Sequence, residues 1–206
     1  KGESLASFKT PLPIPKVEPP DEEATPAKDT ELSVEQEYDK ALLADKATDR
    51  VGARAGYKKV LARDASHVPA LTGLAVLDLE SGLYEKAETR LRKAVEVQPG
   101  NGEAWYFLGV VFFRQDRFDE ALPCAEKSTA LLPERSLGPD LAGRIQMRNK
   151  QYDAAVAAFN TAVGREPMDT RAQDHLLMAL WSAEKKSEAL TLNKERLLQD
   201  PTALFP

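Results

Sequence analysis

The stretch that decides the fold is Ala-Trp-Tyr-Phe-Leu-Gly at residues 104–109. Around it, proline recurs every 34 residues without slippage, at Pro99, Pro133, Pro167 and Pro201. Proline cannot continue the interior of a helix, so each of these residues marks a place where a helix must end. The spacing therefore predicts a helical unit of 34 residues that is repeated along the chain.

Two further columns of residues keep the same spacing. One consists of small residues at Ala53, Ala87, Ala121, Ala155 and Ala189. The other, four residues later in each unit, holds mostly larger residues at Tyr57, Leu91, Ala125, Phe159 and Asn193. Small residues let two antiparallel helices approach closely, and large residues fill the space between neighbouring pairs. The columns predict stacked helical hairpins.

The stretch at 104–109, continued by Phe112, Phe118, Glu120-Ala121 and Pro133, resembles the consensus of the tetratricopeptide repeat (TPR) superfamily. The preceding unit, from Ala70-Leu71 to Pro99, resembles it equally well. The resemblance runs from Val34 to Pro201 and implies an all-α fold, a right-handed superhelical solenoid of about five helix-turn-helix repeats. The implied repeats are residues 34–67, 68–101, 102–135, 136–169 and 170–203.

The first and last repeats depart from the pattern. Ala65 stands where the closing proline is expected, and Lys40 stands where the family has an apolar residue. Lys186, Asn193 and Arg196 replace apolar or small residues in the last repeat. Terminal repeats of a solenoid carry a polar outer face. Both ends are therefore predicted to be caps.

Residues 1–32 combine prolines with an acidic cluster and lack helical periodicity, which predicts an extended linker or arm. Ser33 and Gln36 form a capping box, the signature of a helix start, so the folded array is assigned to residues 33–201. The start at Lys1 rather than at Met favours a fragment of a longer protein, with residues 202–206 at its C-terminal end.

The resemblance also implies that the first helix of each hairpin lines a concave groove that receives a peptide. Carried over position by position, the groove residues are Val76, Leu79, Tyr106, Val110, Phe113, Arg114, Asp140, Arg144, Met147, Arg148, Arg171, Asp174, Met178 and Trp181. The centre of this set is apolar and aromatic, and the next repeat is basic.

Tyr106, Val110 and Phe113 lie on the side of their helix opposite the core residues, at spacings of four and three. One interpretation is a recognition patch with Tyr106 and Phe113 as aromatic anchors and arginines such as Arg144 pairing with acidic groups of the ligand. The alternative is that these residues pack against adjacent repeats or are covered by the ends of the chain. Both interpretations stay open at this stage.

Composition excludes several classes of function. The formal charge of -5 comes without a basic run that would neutralise a nucleic-acid backbone. No stretch approaches the roughly 20 apolar residues that span a bilayer. The compartment is left open, either cytoplasmic or a soluble extracytoplasmic segment of a longer chain. A single cysteine, Cys124, excludes an internal disulfide and is predicted to be a small packing residue.

The sequence predicts neither an enzyme nor a cofactor. His67 and His175 lie far apart without metal-ligand spacing and are expected at the surface or at helix ends. Asp140 and Asp174 are one repeat apart, but acidic groove residues are more commonly peptide contacts than an acid–base pair. No glycine-rich phosphate-binding motif is present in the sequence.

Two hypotheses of function follow. In the first, the chain is a protein–protein interaction scaffold that binds a peptide or protein segment in the concave groove. In the second, it is a structural or regulatory block of a larger multidomain protein, attached to an enzyme for example. Its groove is then occupied by its own arm through residues 8–20, which carry Phe8, Leu12 and Ile14 between prolines.

Overall fold

The computed structural model describes residues 32–199, and this part of the chain contains ten α-helices and no strand. Their bounds are α1 Val34–Lys46, α2 Arg50–Arg63, α3 Val68–Glu80, α4 Tyr84–Val97, α5 Gly102–Arg114, α6 Phe118–Leu131, α7 Leu137–Arg148, α8 Tyr152–Arg165, α9 Thr170–Ser182 and α10 Lys186–Gln199. The prediction of an all-α helical-repeat solenoid is confirmed. The predicted arm, except Leu32, and the terminal segment 202–206 lie outside the described residues.

The helices pack as five antiparallel pairs, α1 with α2 through α9 with α10. Each second helix also contacts the first helix of the next pair, as α2 contacts α3 and α8 contacts α9. In addition, α3 contacts α5, α5 contacts α7, and α7 contacts α9. These first helices therefore form one continuous inner layer, and the second helices form an outer layer.

Polar side chains cap the starts of several helices, among them α1 and α5. Ser33 and Gln36 form the predicted capping box, in which the backbone N–H of each residue donates to the side chain of the other. Asn101 caps α5 by accepting a hydrogen bond from the N–H of Ala104 at 2.9 Å. Pro139 lies in the first turn of α7, where a missing N–H removes no helical bond.

The turn inside each helix pair uses one left-handed residue, and this residue also recurs every 34 positions. Its φ is between 55° and 72° at Thr48, Gly82, Asp116, Lys150 and Glu184. The next residue donates its N–H to the carbonyl five residues earlier, as Leu83 does to Asp78 at 2.8 Å. This bond satisfies a free carbonyl at the helix end and reverses the chain into the second helix.

The core follows the two columns found in the sequence. All five alanines of the small column are fully buried, and Tyr57, Leu91 and Phe159 of the other column are at most 1% exposed. Gly143 gives the ring of Phe159 room to pack, because a Cβ on this glycine would lie 2.6 Å from Phe159 Cε1. Close helix approach in the fourth pair therefore depends on this glycine.

The predicted polar outer face at the ends of the array is not observed at one of its positions, Arg196. Lys40 and Lys186 are exposed, and so are Leu43 and Leu190, at 66% and 60%. Arg196 was expected on a polar outer face, but its side chain is only 12% exposed and bonds Asp174 of α9 at 2.7 Å. The expectation for Arg196 was wrong, because a carboxylate on the neighbouring helix holds it against the array.

Candidate functional site

The inner layer carries a cavity of about 190 Å³ at the contact of α5, α7 and α9. It is lined by Phe113, Arg144, Met147, Arg148, Phe159, His175 and Met178. Five of these residues belong to the predicted groove set, so residues from three repeats meet around one opening. The two methionines and two phenylalanines supply an apolar lining, and the arginines lie beside it.

Aromatic rings pack against the two arginines of the cavity lining. The guanidinium of Arg144 lies 4.8 Å from the ring centroid of Phe113. The guanidinium of Arg148 lies 5.5 Å from the centroid of Phe118 and 6.0 Å from that of Phe113. Arg148 also bonds Asp116, at 2.8 Å, across the repeat boundary. Contact with a ring occupies the face of a guanidinium and leaves the N–H groups at its edge able to donate hydrogen bonds, as Arg148 does to Asp116.

Tyr106 lies half-buried on the same helix as Phe113. Its ring packs against Phe107 with centroids 5.1 Å apart. Burial raises the pKa of the Tyr106 phenol, while the charge of Arg144 acts in the opposite direction. The phenol therefore stays protonated at neutral pH and remains a hydrogen-bond donor.

Two predicted groove residues are not available to a ligand. Val110 is 8% exposed because α5 packs against α7 on this side. Asp140 is 2% exposed, and its carboxylate lies 2.6 Å from His175 Nδ1 and 3.8 Å from Arg144 Nη1. We therefore correct both assignments: Val110 is a core residue, and Asp140 holds residues of α7 and α9 in place.

His175 is the residue that sequence reasoning missed. It was expected at the surface or at a helix end, but it lies within α9, lines the cavity and packs against the Phe159 ring at 5.4 Å. A usable signal was present, since His175 follows Arg171 by four residues and precedes Met178 by three. His67 does lie at a helix end, as the N-cap of α3, but it is buried rather than at the surface.

The remaining predicted groove residues lie outside the lining of the cavity. Arg114, Arg171 and Trp181 are exposed, and Arg171 Nη2 lies 3.7 Å from Asp169. Asp174 is held by Arg196, as described above. Val76 and Leu79 are half-buried on α3, which contacts α5 in the inner layer, and Leu79 packs against the central core.

The described part of the chain holds no cluster of three His, Cys, Asp or Glu residues that would bind a metal. Within residues 32–199, no helix combines the length and apolar character needed to cross a bilayer. Cys124 is buried, as predicted, and burial raises the pKa of its thiol to about 11. This thiol lacks the low pKa of a reactive cysteine.

A sequence model of the tetratricopeptide repeat matches residues 72–134 and 141–201. The chain belongs to the tetratricopeptide repeat family. Membership in this family indicates a protein–protein interaction scaffold, and TPR proteins are typically non-enzymatic.

Curated relatives are similar over parts of the TPR array. Anaphase-promoting complex subunit 3 of Schizosaccharomyces pombe is 33% identical over 79 residues, which are 38% of this chain and 12% of that protein. Protein FlbA of Caulobacter vibrioides is 28% identical over 120 residues, or 58% of this chain and 20% of that protein. The matched segment thus spans only 12–20% of the length of these relatives.

Solved TPR structures share the fold. The MamA protein superimposes with a TM-score of 0.68 at 24% identity and covers 84% of this chain and 98% of its own. YrrB, described as a TPR protein with an unusual peptide-binding site, has a TM-score of 0.64 at 20% identity, with 83% and 88% covered. At these identities the similarity establishes the TPR fold alone.

Proposed function

We propose that the chain binds an extended, acidic peptide segment across α5, α7 and α9, with one large apolar side chain of the ligand in the cavity. The observation that supports the proposal is the meeting of Phe113, Met147 and Met178 with the ring-bound arginines Arg144 and Arg148 around one opening. An apolar pocket beside charged donors is suited to a peptide that carries both kinds of group.

Recognition at this surface combines two physical terms. Burial of one large apolar side chain contributes about 1.5–3 kcal/mol before the costs of association. The arginine N–H groups orient carboxylates of the ligand by charge-assisted hydrogen bonds. Because the arginines at the opening are partly exposed, their contribution falls with ionic strength. The proposal therefore predicts binding that requires both the apolar side chain and low or moderate salt.

The methionines provide a direct assay. The chain has three: Met147 and Met178 line the cavity, while Met168 lies outside it and is 83% exposed. In a sample with ¹³C-methyl-labelled methionine, the acidic probe peptide EEFDE is expected to shift the Met147 and Met178 signals and leave Met168 unchanged. Replacing Phe by Ala, or every acidic residue by Lys, in the probe should abolish the shifts.

A matched pair of variants distinguishes binding at the proposed site from a general effect of removing one positive charge. Arg148 and Arg135 are 57% and 51% exposed, and each forms one ion pair, at 2.8 and 3.0 Å. Arg148→Gln should weaken binding of the probe about fivefold, the upper range for an exposed ion pair, and Arg135→Gln should leave it unchanged. Equal losses in both variants, or shifts confined to Met168, would refute the proposed site.

A second candidate function is a structural block within a larger protein. The observation that favours it is the size of the curated relatives, of which the matching segment is only 12–20%. In that setting the same surface serves a segment of the same polypeptide. Loss of probe binding when the array is expressed with its natural flanking sequence would support this candidate.

A further inference from the structure

We infer that Met178 is a site of reversible oxidation, and that its sulfoxide makes the cavity between α5, α7 and α9 unsuitable for an apolar side chain of the ligand. The inference rests on the proposed function, because it names a chemical modification that regulates the same site. The reagent is a hydroperoxide, of which hydrogen peroxide is the simplest member.

Met178 is the exposed member of the apolar cavity lining. Val110, Arg144 and Met178 occupy equivalent positions of α5, α7 and α9, 34 residues apart. Val110 is 8% exposed, because α7 packs against α5 on this side, and Arg144 is half-buried. Met178 is 56% exposed, because α9 is the last inner helix among residues 32–199. Its side chain is therefore accessible to a reagent in solvent while it still lines the cavity.

Oxidation of the Met178 thioether is a two-electron oxygen transfer. A lone pair of the sulfur attacks one peroxide oxygen, so that an S–O bond forms and the O–O bond breaks. The hydroxide that leaves takes the proton of the transferred hydroxyl group and departs as water. The sulfur is oxidised by two electrons and the peroxide is reduced by two. The product is a polar, chiral sulfoxide in place of a flexible apolar side chain.

A sulfoxide at Met178 changes what the cavity can accept. The cavity has a volume of about 190 Å³, and its apolar lining consists of two methionines and two phenylalanines. An apolar side chain of the ligand would displace water from the sulfoxide oxygen, and loss of that hydrogen bonding costs free energy. If Arg144 or Arg148 of the lining donates to the oxygen instead, that N–H group is lost to a carboxylate of the ligand. Both arrangements weaken binding.

The other two methionines act as internal controls. Met168 is 83% exposed but lies between α8 and α9, outside the cavity lining. Met147 lines the cavity but is half-buried on α7. Because reaction with a peroxide follows the exposure of the side chain, Met168 and Met178 should oxidise before Met147. Only the reaction of Met178 then changes the cavity, so its effect can be separated from oxidation in general.

The test follows oxidation and binding in the same sample of the full chain. With ¹³C-methyl-labelled methionine, hydrogen peroxide replaces each thioether methyl signal by a sulfoxide signal, so the three residues are observed separately. We expect Met178 to be converted before Met147, and the affinity for the EEFDE probe to fall about fivefold or more once Met178 is converted. Methionine sulfoxide reductases should restore both the thioether and the affinity.

Two matched variants assign the effect to one sulfur atom. Leucine has nearly the volume of methionine but no sulfur to oxidise. In Met178→Leu, the affinities before and after peroxide treatment should be equal, whatever the starting affinity is. In Met168→Leu, which removes the exposed methionine outside the cavity, peroxide should lower the affinity as it does in the unaltered chain.

Oxidation of Met147 before Met178, or an unchanged affinity once Met178 is a sulfoxide, would overturn the inference. A peroxide effect of equal size in Met178→Leu would do the same. So would a loss of helical circular dichroism at 222 nm in step with the loss of affinity, because unfolding would then be the cause. All of these outcomes leave the proposed function intact. Failure of EEFDE to shift Met147 and Met178 before peroxide is added would instead defeat the proposed function, and the inference with it.

Discussion

Substitution of Gly143 by alanine tests how closely α7 and α8 approach beneath the cavity. A methyl group on Gly143 would lie 2.6–2.8 Å from three carbons of the Phe159 ring, and Phe159 is 1% exposed and cannot move into solvent. At Gly164, in α8, no atom beyond the neighbouring backbone of its own helix lies within 4 Å of the same position. The two glycines therefore provide the same chemical change in a crowded and in an open environment.

The expected change in the free energy of unfolding is the sum of two opposing contributions. Replacing glycine by alanine within a helix stabilises it by about 0.5–1 kcal/mol. Overpacking a buried site costs about 1–3 kcal/mol. The helix term is shared, so the free energies of unfolding of Gly143→Ala and Gly164→Ala should differ by about 1–3 kcal/mol, with Gly164→Ala the more stable. For a chain of this length the difference in Tm is about 2–12 °C.

Thermal and urea unfolding followed by circular dichroism at 222 nm would measure this difference. Because Phe159 also lines the cavity, Gly143→Ala should shift the methyl signals of Met147 and Met178, and Gly164→Ala should not. Equal unfolding midpoints for the two variants would refute the close approach of α7 and α8 derived from the structure.

Three other outcomes are expected. Burial raises the pKa of the Cys124 thiol to about 11. At pH 8 this thiol should react with a thiol reagent about 100-fold more slowly in the folded protein than in denaturant. Rapid labelling of the folded protein would contradict the burial of Cys124. Burial also raises the pKa of the Tyr57 and Tyr106 phenols. The free energy of unfolding should therefore fall as pH rises past about 10, where tyrosines of the unfolded chain ionise. An absorbance titration should show these two phenols ionising only when the protein unfolds. Asp78 is fully buried and bonded to Arg54 and Arg90. Asp78→Asn should therefore lower the free energy of unfolding by about 3 kcal/mol, the lower end for a broken buried pair, because both arginines can turn toward water. A loss below about 1 kcal/mol in urea titrations would show that this carboxylate adds little to stability.

The fold was predictable because its signal is repeated. One proline would mark a single helix end, but four at a spacing of 34 residues fix the unit length, and the five members of the alanine column give the number of units. The turn inside each pair was not predictable from residue types. Only Gly82 among its left-handed positions is a glycine, and Thr48, at φ 60°, is a β-branched residue that disfavours this conformation. Hydrogen bonds at the helix end impose it there.

The candidate site was predictable only in part. The family resemblance placed Phe113, Met147 and Met178 in the groove set, and the structure brings them to one cavity. Spacing did not show that Val110 is covered, because burial at that position depends on how tightly α5 packs against α7. The ion pair between Arg148 and Asp116 crosses a repeat boundary and could not be predicted from a single repeat, because it depends on the geometry of the turn that carries Asp116.

Asp140 illustrates why a position carried over from a family can change its role. A carboxylate at this inner-face position would ordinarily oppose an acidic ligand. Here His175, one repeat further along, lies 2.6 Å from it, and Arg144 lies one helical turn away at 3.8 Å. The carboxylate is therefore buried and bonded within the protein, and the exposed arginines are the charged groups at the surface of this part of the inner layer. The change of role from groove residue to buried hydrogen-bond partner therefore depends on a histidine that the repeat pattern did not single out.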